Sequence, residues 1–319
     1  MFAVVLVGGF GTRLRPLTNS VPKPLLPLGQ RTILEHLLVN LSRGGVTDAV
    51  LALAFKPEPF LRAYPDARCA GVRLSYSIEE TPLDTAGAIG FAARSAGLHD
   101  RGETFLVANG DIVTDLSVAG LIERHRTNTK LGAHATIHLT PVEDPSQYGV
   151  VEYDERGKVA GFIEKPAPGT TASRYVNAGT YVFEPEALRI MPGDAPLSVE
   201  RATFPELVRR GTLFAHPTDD YWLDAGRPES YRRANLDLVT GRRRERDDAV
   251  HADAHVHPSA SVSNSVIGAG AMVGARARVI DSVVFPGASV GADAEVTASS
   301  VMGDVAAGAI VRDALVGRD

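Results

Sequence analysis

The chain has one cysteine, Cys69, so no disulfide can form within it, and a lone thiol flanked by Arg68 and Ala70 reads as inert rather than nucleophilic. It has no excess of positive charge. The formal net charge is −5 over 319 residues, which argues against the broad basic surface of a general nucleic-acid binder. No apolar run reaches the length of a membrane span, and Met1 leads into an apolar strand without the basic region and long apolar stretch of a signal peptide. The expected compartment is the cytoplasm, with no membrane partner. Hydrophobic residues make up 44% of the chain, enough for a sizeable core, and the length points to two domains rather than one. A small anionic substrate held by a few local cations suits this balance.

Two familiar phosphate signatures are also missing. The P-loop ends in Lys-Ser or Lys-Thr, and neither follows Gly8, Gly9 and Gly11. The dinucleotide fingerprint runs from its glycines straight into a helix, whereas Pro16, Pro22, Pro24 and Pro27 forbid one here. What is present is an apolar strand, Phe2 to Val7, that stops in Gly8-Gly9-Phe10-Gly11-Thr12-Arg13. Glycine backbone N–H groups can approach and point at an anion with no Cβ in the way. Arg13 adds one cation and Lys23, stiffened between Pro22 and Pro24, a second. A bare Gly-Gly would read as a turn ending a buried strand; with Thr12, Arg13 and Lys23 the loop reads as a cradle for a triphosphate.

The remainder of the first half reads as an open α/β sheet. Thr32-Ile33-Leu34-Glu35 has the spacing of a capping box for a helix that stops at Gly44-Gly45, and Asp48 to Leu53 then reads as a buried strand, parallel to the first through a right-handed crossover. Val72 to Ser77 and Thr104 to Asn109 add strands, with a small-residue helix from about Thr85 to Ala96 between them. Ligands of such sheets sit beyond the carboxyl ends of the strands, where the glycine loop and Asn109-Gly110-Asp111 both fall. Asp111 there is either a magnesium ligand or the cap of a turn.

From Ala133 to Glu184 the pattern changes to short strands, Ala133 to Leu139, Val150 to Tyr153, Val159 to Glu164 and Tyr175 to Phe183, with Asp154 to Gly157 as a hairpin turn. This half carries Gly149, Glu164, Lys165 and Asn177, one cation for a phosphate with a carboxylate and an amide for hydroxyls. Arg227 to Thr240 reads as a helix, and the mixed charges of Arg242 to Asp248 read as a solvated linker. The expected domains are therefore residues 1–240, a linker at 241–255, and 256–319. The last part repeats: Val262, Val279 and Val296 stand seventeen residues apart, Ser265, Ser282 and Ser299 share a column, and so do Gly274, Gly291 and Gly308. Aliphatic residues recur about every six positions, so short strands should stack into a solenoid resembling a hexapeptide-repeat left-handed β-helix. An uncapped last coil favours a homo-oligomer. An acyltransferase role, with His251, His255 or His257 as base, fits a stack of about four coils less well than a structural one.

The run Gly8-Gly9-Phe10-Gly11-Thr12-Arg13-Leu14-Arg15-Pro16-Leu17-Thr18, with Pro22-Lys23-Pro24-Leu25-Leu26, resembles the signature of the sugar-1-phosphate nucleotidyltransferases. Within that family the likeness is greatest to the guanylyl branch that makes GDP-mannose. It continues at Glu79 to Gly87, Pro145 to Val151, Glu164-Lys165-Pro166, Asn177-Ala178-Gly179 and Trp222-Leu223-Asp224-Ala225-Gly226. The resemblance implies a Rossmann-like domain followed by the β-helix, and an enzyme joining an NTP to a sugar 1-phosphate with release of pyrophosphate. It implies that Leu6, Gly8, Gly9, Gly11, Thr12, Arg13, Lys23, Glu79, Asp84, Gly87, Asn109 and Gly110 bind the nucleotide. Gly149, Glu164, Lys165 and Asn177 would bind the sugar phosphate, and Asp111 and Asp224 would hold Mg²⁺. Lys23-Pro24 stands where thymidylyl enzymes commonly carry Lys-Gln, which points to GTP over dTTP. Asp84 stands where many guanylyl relatives have glycine; either Asp84 or Glu79 accepts from guanine N1–H and its amino group, or Asp84 only caps the helix beginning at Thr85. A glucose-1-phosphate thymidylyl- or uridylyltransferase is the alternative within the family. A non-catalytic regulatory subunit or a β-helix scaffold is the alternative outside it.

Overall fold

The computed structural model describes residues 1–9, 11–54 and 57–318. Packing divides the chain into two compact units, one made of Met1–Gly9 with Leu37–Trp222 and the other of Phe10–His36 with Leu223–Asp319.

The first unit is built on strand β1 (Phe2–Leu6), whose Ala3, Val4 and Val5 are fully buried because a central parallel strand is covered on both faces. It pairs in parallel with β2 (Asp48–Leu53) and with β4 (Phe105–Asn109), while β3 (Val72–Ile78) extends the sheet beyond β2. The parallel pairing expected of the opening unit is present. Helix α1 (Ile33–Arg43) starts at the capping box: Glu35 N donates to Thr32 Oγ1 at 3.1 Å, and Thr32 N to Glu35 Oε2 at 2.7 Å. Helix α2 (Asp84–Ser95) is rich in Ala and Gly because backbone crowds it; a Cβ on Gly90 would lie 2.0 Å from Met191 O.

Antiparallel strands complete this sheet. Strand β5 (Ala135–Pro141) and the hairpin β6 (Gly149–Tyr153) with β7 (Val159–Glu164) flank β8 (Tyr175–Phe183), and β8 pairs with β4 so that Thr180 faces Ala108. β9 (Leu213–Pro217) runs parallel to β5. Phe105, Tyr181, Phe183 and Phe204 stack in the core beneath.

The second unit joins the loop after β1 to the end of the chain. Prolines limit residues 12–25 to three single 3₁₀ turns, Thr12–Leu14, Leu17–Asn19 and Lys23–Leu25, followed by a hairpin of Pro27–Leu28 with Arg31–Thr32. Helix α3 (Pro228–Val239) lies against this hairpin, with Asn235 Oδ1 accepting from Gly29 N at 2.8 Å. The charged run after it is exposed at Arg242, Arg244, Arg246 and Asp248 but tied down between them. Arg243 is only 7% exposed, Glu245 Oε2 lies 3.3 Å from His36 Nδ1, and Asp247 Oδ2 accepts from Gln30 N at 2.9 Å. The carboxylates of Glu245 and Asp247 are matched by groups of residues 30–36.

The repeats form a three-sided parallel β-helix, each side a sheet of four short strands. Val262 pairs with Val279, and Val279 with Val296, as the seventeen-residue spacing requires. The serine column is a hydrogen-bonded ladder: Ser282 N donates to Ser265 Oγ and Ser299 N to Ser282 Oγ, each at 3.0 Å. The glycine column stops early. Val290 pairs with Val305, so the last coil is two residues shorter from the corner at Met302-Gly303 onward, and Gly308 is not in line with Gly274 and Gly291.

One buried base in the first unit makes stability depend on pH. His138 in β5 is fully buried, its Nε2 lies 2.9 Å from Thr218 Oγ1, and burial, reinforced by neighbouring His216, pushes its pKa down to about 3. The unfolded chain binds this proton below the ordinary value of 6.5 and the folded chain does not, so stability held above pH 6.5 is lost as pH falls toward 3. The limiting slope is ~1.4 kcal/mol per pH unit. Urea unfolding of His138→Gln should show a flatter dependence than the parent between pH 6 and pH 4; an unchanged slope would remove His138 from the account.

Candidate functional site

In the first unit the polar motif residues gather at one edge of the sheet, past the carboxyl ends of β1, β2, β3 and β4. Buried parallel strands have no room for polar side chains along their length, so chemistry is confined to their ends. Leu6 ends β1 opposite Asn109, and its carbonyl accepts from Gly110 N at 2.8 Å. A Cβ on Gly110 would lie 2.5 Å from Val7 Cγ1 and 2.9 Å from Leu6 O, so glycine is required for the two turns to meet. Gly8 packs on Ala54, 3.2 Å from the place of its Cβ, whereas a Cβ on Gly9 would meet no atom of the described residues beyond its chain neighbours within 4 Å. The turn is tight on the protein side at Gly8 and open at Gly9. Asp111 follows Gly110 and is half-buried.

Glu79 sits beyond the end of β3, its N–H on Leu53 O at 2.9 Å. Glu79 is 7% exposed, its carboxylate accepts from Leu83 N at 2.8 Å, and burial raises its pKa despite that bond. Asp84 is exposed, has φ +57°, and accepts from Thr85 N at 2.7 Å through Oδ1. That left-handed backbone is one glycine adopts freely. It explains why glycine would serve at this position; the helix begins at Asp84 itself. Gly87 is buried against Ala195 and Leu197, and its N–H is committed to Leu197 O at 3.0 Å. Its contribution is close packing.

The antiparallel strands bring the sugar-phosphate candidates to the same edge. Gly149 faces Glu164 across β6 and β7, and a Cβ on it would lie 2.5 Å from the Phe162 ring and 3.0 Å from Glu164 Oε2. Lys165 has φ +49°, its N–H on Tyr148 O, and its Nζ 3.4 Å from Glu164 Oε1; its side chain is 61% exposed. A left-handed lysine is a strained residue held by its surroundings. Asn177 is oriented from both ends of its amide, Nδ2 donating to Tyr181 Oη and Oδ1 accepting from Gly179 N, each at 2.9 Å. The Tyr181 hydroxyl is held far above its ordinary pKa by burial and by the carboxylates of Glu200, Glu164 and Asp111. Trp222 Nε1 donates to Ala178 O at 2.9 Å, and its ring meets the edge of Tyr148. These supports, Tyr148, Tyr181 and Glu200, were not legible as site residues, since tyrosines and acids at such positions serve equally as core and surface.

The second unit carries the two cations of the glycine loop, Arg13 and Lys23. Gly11 has φ +59° and opens the first 3₁₀ turn; Thr18 Oγ1 donates to its carbonyl at 2.8 Å, and the place of its Cβ is 3.2 Å from Lys23 Cβ. Thr12 and Arg13 project from this turn and are exposed. Lys23 is 7% exposed, and its Nζ lies 3.5 Å from Asp224 Oδ1. A buried ammonium is tolerable when paired. Asp224 Oδ1 is itself buried and accepts no hydrogen bond among the described residues. Gly226, quoted in the sequence motif with no role, has one: a Cβ there would lie 2.8 Å from Asp224 Oδ1 and 3.2 Å from Lys23 Nζ.

A buried carboxylate oxygen that, among the described residues, makes no hydrogen bond and has only the 3.5 Å ion pair to Lys23, beside a space that only glycine leaves, suits a cation ligand. Among the described residues no three His, Cys, Asp or Glu side chains cluster as a metal cage.

Residues 2–241 match the nucleotidyl transfer family model described as "Nucleotidyl transferase". A mannose-1-phosphate guanylyltransferase of Mycobacterium tuberculosis is 38% identical over 84% of this chain and 75% of its own length. A probable mannose-1-phosphate guanylyltransferase 1 of Oryza sativa is 37% identical over 85% of this chain and 74% of its own. Among solved structures, HddC from Yersinia pseudotuberculosis complexed with GMP-PN superposes with TM-score 0.60 at 28% identity, over 73% of this chain and 97% of that one. With the glycine turns at the strand ends and the matched run from the first strand to helix α3, the chain belongs to the nucleotidyl transferase family, as the likeness to sugar-1-phosphate nucleotidyltransferases implied.

Proposed function

We propose that this protein is a mannose-1-phosphate guanylyltransferase that joins GTP and mannose 1-phosphate into GDP-mannose with release of pyrophosphate. The observation that carries the reading is the sheet edge at which Gly8, Gly110, Glu164 and Asn177 meet, tight against the protein and open at Gly9. The names of the relatives support guanine and mannose, and the relative crystallised with GMP-PN supports a guanine nucleotide. The regulatory-subunit alternative would be marked by loss of a catalytic side chain, and Arg13, Lys23, Asp111, Lys165 and Asp224 are all present.

In this reading an oxygen of the sugar's phosphate attacks the α-phosphorus in line, the bond from that phosphorus to the bridging oxygen breaks, and pyrophosphate leaves with the electron pair. The nucleophile is already an anion, so no general base is required, and catalysis consists of positioning and charge neutralisation. The N–H groups of Gly8, Gly9, Gly11 and Thr12 hold the triphosphate. Arg13 neutralises the leaving pyrophosphate and Lys23 the α-phosphate. Lys165 holds the sugar's phosphate, and Glu164, Asn177 and the Gly149 backbone orient its hydroxyls. Asp111 and Asp224 would be the carboxylate ligands of Mg²⁺, which when bound supplies Lewis-acid stabilisation of the phosphate oxygens. Asp84 or Glu79 accepts from guanine N1–H and its amino group, a pair of donors that uracil and thymine lack.

Product formation from GTP, UTP, dTTP, CTP and ATP with mannose and glucose 1-phosphates tests the assignment. GTP with mannose 1-phosphate should be the preferred pair, and a preference for dTTP or UTP with glucose 1-phosphate would replace it. Asp84→Gly, free of backbone strain, should raise KM for GTP roughly tenfold if Asp84 reads the base; an unchanged KM would pass that role to Glu79. Arg13→Ala should lower turnover by roughly a hundredfold or more, the usual cost of one transition-state contact. Full activity in that variant would take Arg13 out of the mechanism.

A further inference from the structure

The β-helix has a contact that its packing role does not require. Leu315–Val316 pairs with Ser300–Val301, and the corner beyond is the one shortened by two residues. A Cβ on Gly303 would lie 2.1 Å from Gly317 O. Gly317 has no room either: its Cβ would lie 2.8 Å from Pro16 Cβ and 2.9 Å from Pro16 Cγ. Neither glycine has a positive φ, so backbone conformation does not demand glycine and the requirement is space. Arg318 pins the corner, with Nε donating to Met302 O at 3.3 Å and Nη2 to Pro286 O at 3.0 Å.

Pro16 is the residue that precedes the second 3₁₀ turn of the nucleotide loop, and its carbonyl accepts from Asn19 N at 3.1 Å. The turn it starts carries Thr18, which is bonded to Gly11 O, and Gly11 in turn lies on Lys23. Arg13 stands in the turn just before it. A shift of the proline ring is therefore passed to both cations through short, stiff links.

We propose that the Gly317–Arg318 corner of the β-helix is a positioning element for the nucleotide loop: Gly317 seats the Pro16 ring and so holds Arg13 and Lys23 where the triphosphate needs them. The inference rests on the nucleotidyl-transfer reading for its effect on turnover, but not for its effect on the loop.

Gly317→Ala and Gly317→Val form a graded wedge under Pro16, Arg318→Ala releases the corner without adding bulk, and Arg312→Ala, whose side chain is 65% exposed on the same coil, is the control. Steady-state kinetics with GTP and mannose 1-phosphate and hydrogen exchange over residues 11–26 are read on the full chain. The expected result is a graded fall in kcat/KM for GTP, roughly tenfold to a hundredfold at Val, with KM for the sugar phosphate unchanged. Exchange should quicken in 11–26 and not in the serine ladder. Adding Pro16→Ala to Gly317→Val should restore part of the loss. Wild-type kinetics and exchange in Gly317→Val and Arg318→Ala would overturn the proposal, as would an equal loss in Arg312→Ala. A parent protein inert with every nucleotide tested would instead refute the transferase reading, and exchange in 11–26 alone would then decide whether the corner holds the loop.

Discussion

A lysine ammonium almost wholly withdrawn from water has to find a counter-charge, and in this fold Lys23 finds it in Asp224. That requirement draws the loop after the first strand to the Asp224-Ala225-Gly226 segment, although most of the chain separates them in sequence. Gly11 and Gly226 make the approach possible, each lacking a Cβ that would press on Lys23. The loop is in consequence a braced set of 3₁₀ turns, tied by Thr18 to Gly11, by the hairpin to helix α3, and by Pro16 to the β-helix. Packing accordingly counts residues 10–36 with 223–319 as one unit.

The candidate residues of the first unit follow from its parallel sheet. Its central strands are sealed on both faces, so their carboxyl ends are where backbone N–H groups and carboxylates can face a ligand. Crowding there selects glycine for a measurable reason: at Gly110 the neighbour is β1 itself, and at Gly179 it is the Asn109 amide, 2.8 Å from the place of a Cβ. The polar residues are held as firmly as the backbone. Asn177 is bonded at both ends of its amide, Glu79 is bound to the turn it precedes, and Trp222 is tied to Ala178.

Much of this was legible beforehand, because hydrophobic period and turn residues report local structure directly. The parallel opening unit, the capping box at Thr32 and Glu35, the hairpin at Asp154 to Gly157 and the seventeen-residue coil all stand where their patterns placed them. What composition misjudged were partners remote in sequence. The charges of Arg242 to Asp248 resembled a solvated tether because nothing local shows that His36 and Gln30 meet them. Gly308 matched the period in sequence, yet two residues dropped at Met302-Gly303 moved the register beneath it. Lys23 and Asp224 each stood out in their motifs as candidates, but not as partners of one another. The buried His138 gave no signal at all, being a polar residue in a strand of otherwise ordinary alternation.

A double-mutant cycle on Lys23 and Asp224 tests the central claim most directly. The unfolding free energies of the parent, Lys23→Met, Asp224→Asn and the double variant would be compared in denaturant. If each charge compensates the other, the double variant is less destabilised than the two single losses added together, with a coupling on the order of 1 kcal/mol or more. Losses that add to within about 0.5 kcal/mol would contradict it, and would leave the braced loop without the interaction assigned to hold it.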